Sequence, residues 1–82
     1  MKYIKGKMKQ LIYEGNNNYK VGLIKIKETN DEELTDFLNK SMTFTGYFAE
    51  LNIDDTYILY GSLINNEKYG YQYKTIDYER QE

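Results

Sequence analysis

The sequence has no cysteine and no histidine. Without cysteine there is no disulfide framework, no thiolate nucleophile and no cysteine-type zinc site. Without histidine the chain also lacks the side chain that most often acts as a general base near neutral pH. These two absences argue against the common nucleophilic and zinc-dependent enzyme classes, so we predict no catalytic residue, no metal site and no bound cofactor in this chain.

Long apolar runs are missing as well. No stretch approaches the roughly 20 apolar residues that cross a bilayer. The N-terminal segment MKYIKGK also lacks the apolar core of a signal peptide. We therefore predict a cytoplasmic location and no membrane partner.

The chain length suits one hydrophobic core and no more. With 82 residues, we predict a single domain over residues 1–82. Ten of the residues are tyrosine, which combines an apolar ring with a hydroxyl that remains available to water or to a partner. This excess of tyrosine suits a thin barrel or a surface on which other rings stack.

Charge changes sign along the chain, although the net charge is only −2. Residues 1–27 carry seven lysines and one acid, residues 28–55 carry eight acids and one lysine, and residues 56–82 are nearly balanced. A basic first third suits a surface that faces phosphates, but a solvated strand face explains it equally well.

Alternation of apolar and polar residues predicts five strands. They cover residues 3–13, 19–27, 41–48, 57–64 and 71–78. Clusters of turn-forming residues separate the first strand from the second and the fourth from the fifth. In the second strand the alternation slips at Leu23 and Ile24, which indicates a β-bulge there.

Between the second and third strands, the spacing of apolar residues changes from that of a strand to that of a helix. Asn30 is a candidate N-cap, and the acidic residues after it favour the positive end of a helix. Leu34, Phe37 and Leu38 then fall on one face. We predict a short amphipathic helix over residues 31–40 that lays this face over the barrel.

Five short strands with glycines near their centres predict a small all-β barrel. An OB-like barrel with one short helix between strands two and three fits this pattern. An SH3-like barrel is the alternative, because strand count alone does not separate the two. Gly70 is expected to provide the backbone freedom that the turn before the last strand requires.

Two segments resemble a known family. They are TFTGYFAEL, residues 43–51, and KYGYQYK, residues 68–74, with Gly61 between them. In order and spacing they are similar to the N-terminal OB domain of RecD-like ATP-dependent DNA helicases, the exodeoxyribonuclease V alpha-subunit family. That family shows a Gly-Tyr-Phe-Pro-Glu-Leu stretch, then a Gly-x-Trp strand and a Lys-Tyr-Gly-x-Gln-Phe turn. The segment NNYKV, residues 17–21, resembles the family's first turn.

The resemblance has limits along the chain. It does not include the acidic residues 28–40, which we interpret as an insertion. Leu63, Asn66 and Glu67 stand where the family has Trp, His and Pro, so no role is transferred to these positions.

The resemblance implies a fragment of a longer helicase chain of the 5′–3′ type. In that family the motor lies downstream, in RecA-like domains whose phosphate loop binds ATP with magnesium. No such loop occurs in these residues, and the chain ends directly after the last predicted strand. We therefore expect a domain boundary near the C-terminus and neither ATP hydrolysis nor DNA unwinding by this domain alone.

The groove of an OB fold lies across strands two and three, between the loops that follow strands one and four. A single strand of DNA needs positive charge there and exposed rings on which bases stack. The candidate nucleic-acid-binding residues are Tyr19, Lys20, Lys25, Tyr47, Lys68, Tyr69 and Tyr71. An interpretation in which these tyrosines only pack and these lysines are only solvated stays open. Asp54 and Asp55 are interpreted as a solvated turn rather than a metal or acid–base pair.

Two functional hypotheses follow from these observations. In the first, the chain is an accessory domain of a RecD-like helicase that binds or guides single-stranded DNA in repair and recombination. In the alternative, it is a protein-interaction or structural module that docks on the motor domains of the same chain or on other recombination subunits.

Overall fold

Five strands close into a barrel in the computed structural model, which describes residues 1–68 and 70–81. The order around the ring is β1-β2-β3-β5-β4. All neighbouring strands are antiparallel except β3 and β5, which are parallel. This Greek-key order, with β5 inserted between β3 and β4, is that of an OB fold and not of the SH3-like alternative. The strands are β1 (Tyr3–Glu14), β2 (Tyr19–Thr29), β3 (Ser41–Tyr47), β4 (Thr56–Asn66) and β5 (Gly70–Gln81).

The core lies inside the ring and follows the two-residue period of the strands. On β2, for example, positions 20, 22, 24 and 26 are buried and the positions between them are more exposed. The buried hydrophobic side chains are Ile4, Met8, Ile24, Ile26, Leu34, Met42, Phe44, Phe48, Tyr57, Leu59 and Tyr73. The predicted all-β barrel is therefore confirmed, with each strand longer than expected or within one residue of its expected end.

The bulge expected at Leu23 and Ile24 is wrong, because β2 alternates regularly through that point. The extra residues lie instead on β1, where Lys9 and Ile12 have no partner in the ladder with β2, and on β2 at Lys27. A bulge bends its strand and increases the local twist. All six residues from Lys9 to Glu14 are exposed, so this half of β1 contributes no side chain to the core.

Gly61 marks a place where two strands approach closely. A Cβ atom there would lie 1.9 Å from the carbonyl oxygen of Lys74, far inside van der Waals contact. Gly70 has a φ of +79°, a conformation that favours glycine. The expected role of Gly70 in the turn before β5 is therefore confirmed.

The segment between β2 and β3 is a 3₁₀ helix, Glu32–Phe37, rather than the predicted α-helix over residues 31–40. The cap is also corrected: the side chain of Asp31 accepts a hydrogen bond from the backbone N–H of Glu33, whereas Asn30 bonds the N-terminal segment. Leu34 is fully buried in the core, with Phe37 and Leu38 packed against it. The expected apolar face is thus present on a tighter and shorter helix.

No helix within residues 1–68 and 70–81 has the length and apolarity to cross a bilayer.

Candidate nucleic-acid interface

Three tyrosine rings meet on the outer surface where the β1–β2 hairpin joins β3. The centroids of Tyr13 and Tyr19 are 6.4 Å apart, and those of Tyr19 and Tyr47 are 5.3 Å apart, both edge to face. Tyr13 is 57% exposed and Tyr47 is 66% exposed. Tyr19 and Tyr47 are direct cross-strand partners, and their outward direction follows from the buried positions that alternate with them. We call Tyr13, Tyr19 and Tyr47 the tyrosine trio.

A groove of about 590 Å³ opens beside the tyrosine trio. Among the described residues, its lining has no charged side chain and combines rings and aliphatic groups with hydroxyls and amides. The lining residues are Ile12, Tyr13, Tyr19, Val21, Thr43, Thr45, Asn66 and Gln72. The groove therefore runs across β2 and β3, from the hairpin tip to the end of β4, and offers both stacking surfaces and neutral hydrogen-bonding groups.

Lys20, a predicted binding residue, points into the barrel. It is 5% exposed, and its ammonium donates a hydrogen bond of 2.8 Å to the carbonyl oxygen of Phe48. The carboxylate of Glu14 lies 3.8 Å from the same ammonium. A buried ammonium with these partners cannot meet a phosphate on the outer surface, so the structure places Lys20 as a support of the hairpin rather than in the groove.

The other predicted lysines lie on the surface, outside the lining of the groove. Lys25 is half-buried on the outward side of β2, four residues beyond Val21. Lys68 is exposed in the turn between β4 and β5, where its backbone N–H donates to the side-chain oxygen of Asn66. Tyr69 lies outside the described residues.

Tyr71 is separate from the tyrosine trio. It is 51% exposed, and its ring meets that of Phe37 edge to face at 5.7 Å. Together with Leu63 these rings line a second depression of about 430 Å³, whose remaining lining residues are the acids Glu33 and Asp36. We call this depression the acidic pocket. Its charge is unsuited to a polyanion such as DNA.

Tyr13 and the polar side chains of the groove are not among the binding residues predicted from the sequence. Tyr13 lies directly before the first turn and Tyr19 directly after it, and this spacing around a hairpin was a usable signal. The polar contribution of Gln72 had no such signal, because β5 comes beside β3 only through a parallel pairing of residues far apart in sequence.

Burial and nearby acids raise the pKa of three tyrosines outside the trio. Burial raises the pKa of Tyr73 to about 12, the negative charge of Asp31 adds to the shift, and a backbone hydrogen bond at Gly61 opposes it. The pKa of Tyr3 is raised mainly by its hydrogen bond to Glu28. Desolvation raises the pKa of Tyr60, with the charge of Glu79 adding to it. These three hydroxyls stay protonated, and therefore uncharged, well above neutral pH.

The described residues contain no group of three or more acidic side chains that could hold a metal ion. The groove itself has neutral walls that include the rings of Tyr13 and Tyr19.

Comparison with known families agrees with the barrel fold. The model of one family, described as the OB-fold domain of the ATP-dependent DNA helicase YrrC, matches residues 1–82. The chain belongs to this family. It is an OB-fold domain of a DNA helicase family, and the tyrosine trio of this YrrC-type domain occupies the face on which OB folds hold oligonucleotides. No solved structure matches the chain.

Proposed function

We propose that the chain is an accessory domain of a RecD-like, ATP-dependent DNA helicase and that it binds single-stranded DNA in the groove beside the tyrosine trio. The observation that carries this proposal is the position of the rings: Tyr13 and Tyr19 line an uncharged groove, and the exposed ring of Tyr47 contacts Tyr19 edge to face beside it. Base stacking on an aromatic side chain contributes about 1–3 kcal/mol per base.

The remaining groove residues suit a nucleic acid without demanding one sequence. Thr43, Thr45, Asn66 and Gln72 line the groove with hydroxyl and amide groups that can bond base edges. Lys74 is exposed and is the cross-strand partner of Thr45, so it adds positive charge at the margin. Rings within and lysines at the margin are the combination that single-strand binding proteins use.

The proposal gives this domain a guiding role and leaves the chemistry to the motor. ATP and magnesium would act in motor domains outside these residues, and the domain would direct a single strand toward or away from them in the cytoplasm. Participation in DNA repair and recombination is part of the same proposal.

A second candidate function, docking on the motor domains or on partner subunits, is favoured by the acidic pocket. Its apolar lining of Phe37, Leu63 and Tyr71 is bordered by two carboxylates, those of Glu33 and Asp36. Such a depression suits a basic protein segment, because carboxylates attract lysine or arginine and ring faces attract cations.

The test is a fluorescence-anisotropy titration of the 82-residue chain with a labelled oligothymidine of about 15 nucleotides at two salt concentrations. Tyr47→Ala removes one exposed ring of the trio, and we expect its Kd to rise by about 5- to 150-fold, the equivalent of one lost stack. Tyr71→Ala is the matched control, since it removes another ring that is more than half exposed, but from the acidic pocket, and it should bind as the wild type does.

Two results would contradict the proposal. A folded wild-type chain that does not bind at low salt would assign DNA contact to other domains and favour docking. Equal weakening by Tyr47→Ala and Tyr71→Ala would show that the groove is not the binding surface.

A further inference from the structure

Four polar side chains form a continuous row across four neighbouring strands. Lys7 on β1 is paired with Thr56 on β4 and with Lys25 on β2, and Lys25 is paired in turn with Ser41 on β3. Neighbouring strands lie roughly 4.8 Å apart. The row of Thr56, Lys7, Lys25 and Ser41, here called the lysine row, therefore presents two ammonium groups flanked by two hydroxyls.

The lysine row faces outward. Gly6 and Met8, on either side of Lys7, are buried, as are Ile24 and Ile26 on either side of Lys25. Residues directly opposite in a sheet share a face. All four side chains of the row consequently point away from the core, into the space above β1 and β2.

Two like charges directly opposite each other destabilise a sheet unless something neutralises them. No carboxylate lies within ion-pairing distance of Lys7 or Lys25 in the part of the chain that the structure describes. The acids around the row are already engaged: Asp54 with Lys9, Asp55 with Arg80, and Glu28 with the Tyr3 hydroxyl. The paired lysines are thus a positive spot that the domain itself does not neutralise.

The lysine row adjoins the proposed DNA groove. Ser41 lies two residues before the groove residue Thr43 on β3, and Lys25 lies four residues beyond the groove residue Val21 on β2. At a rise of roughly 3.3 Å per residue, Lys25 is about 13 Å from Val21 and about 20 Å from Tyr19. A strand held at the tyrosine trio needs several more nucleotides to reach the row.

We propose that the lysine row is a phosphate-binding site for the backbone of the same single strand whose bases occupy the groove. The inference rests on the proposed function. It adds a second contact point and a minimum length: a fragment of about four nucleotides fills the groove alone, whereas one of about twelve reaches both sites. The hydroxyls of Thr56 and Ser41 complement the ammonium groups as donors to phosphate oxygens.

The experiment measures the salt dependence of binding for labelled oligothymidines of about four and about twelve nucleotides. Each phosphate contact with a single strand contributes roughly −0.7 to the slope of log K against log salt. For the variant Lys7→Gln/Lys25→Gln we expect the slope with the longer oligonucleotide to become shallower by about 1.4, and the slope with the shorter one to stay unchanged. Lys2→Gln changes the net charge by the same amount but removes an ammonium that Asp31 already neutralises in the fold, so it is the control for Lys7→Gln and Lys25→Gln tested singly.

Each other outcome overturns the inference in a distinguishable way. If the slope stays the same in the double variant while Tyr47→Ala still weakens binding, the groove remains and the row is only a solvated surface. If both oligonucleotides lose slope equally, or if Lys2→Gln has the same effect as each single variant, the lysines act through net charge. If the folded wild type binds neither oligonucleotide, the proposed function fails and the row fails with it.

Discussion

The tyrosine trio and the acidic pocket are both exposed aromatic clusters, but their surroundings differ in charge. Two rings of the trio, those of Tyr13 and Tyr19, line a groove without a charged side chain among the described residues, and the ring of Tyr47 contacts Tyr19. The rings of Phe37 and Tyr71 instead share their depression with two carboxylates. Rings attract bases and cationic side chains alike, so the neighbouring charges decide which ligand each cluster suits.

The two clusters also differ in how they are attached to the core. Phe37 packs against the core beside the fully buried Leu34, so its ring is part of the fold. Tyr13 and Tyr47 extend from the hairpin tip and from the end of β3, with more than half of each side chain exposed. We therefore expect substitutions in the acidic pocket to lower the free energy of unfolding and substitutions in the tyrosine trio to weaken ligand binding.

The largest expected effect is on stability, for Phe37→Ala. This change removes a ring that covers the core, and we expect the free energy of unfolding to fall by about 3 kcal/mol, the lower end for phenylalanine to alanine in protein cores. Urea denaturation followed by circular dichroism measures it. Tyr47→Ala is the control and should cost about 1 kcal/mol or less, because only an exposed aromatic contact is lost. Equal losses in the two variants would mean that Phe37 contributes no more to the stability of the fold than Tyr47 does.

The next effect concerns Tyr73, two residues from Tyr71 on β5 but fully buried. Its pKa of about 12 in the fold exceeds the ordinary value of 10.0. The fold therefore favours the protonated hydroxyl, and this contribution is complete below about pH 10 and is lost as the pH rises through about 12. We expect Tyr73 to account for about 2–3 kcal/mol of alkaline destabilisation.

The comparison with Tyr73→Phe isolates this contribution, because every other ionisable group is the same in both proteins. Denaturant unfolding at about pH 8 and about pH 12 should show a smaller loss of stability in the variant. An identical loss in both proteins would mean that the Tyr73 hydroxyl ionises without opposition from the fold.

The smallest expected effect tests charge directly, by giving the groove a carboxylate like those of the acidic pocket. Thr43 lines the groove, and its cross-strand neighbours Leu23 and Gln72 are uncharged. We expect Thr43→Glu to weaken oligothymidine binding about tenfold, or about 1.4 kcal/mol, in low salt and less in high salt. Thr43→Gln has the same size without the charge and should bind nearly as the wild type. If the two variants weaken binding equally, size and not charge is responsible.

Strand periodicity in the sequence predicted most of the barrel and part of the groove. The same periodicity contained the position of Lys20, which shares the parity of Gly22, Ile24 and Ile26 on β2. Lys20 was predicted to lie on the surface because it follows the first turn, although the alternation along β2 places it with the inward-facing residues. Tyr71 lies two residues before the buried Tyr73 on β5 and therefore on the same side of the strand. Alternation along β5 alone could thus have separated Tyr71 from the outward-facing groove residues.

Other features depended on tertiary structure and could not be predicted from local sequence. The spacing of Leu34 and Phe37 fits a 3₁₀ helix as well as an α-helix, and a positive φ at Asn39 turns the chain into β3. Gln72 joins the groove only because β5 lies parallel to β3. The cross-strand pairing of Lys7 with Lys25 likewise depends on the strand register, which the bulges of β1 and β2 determine.

The order of strands around the ring has a consequence for the growing polypeptide. The parallel contact joins residues 43–45 to residues 72–74, and the contact of β1 with β4 joins Tyr3 to Tyr60. Contacts so distant in sequence form slowly, since a long loop must close before they stabilise anything. During synthesis the lysine-rich first hairpin must therefore wait for nearly the whole domain to be translated before the ring can close around its core.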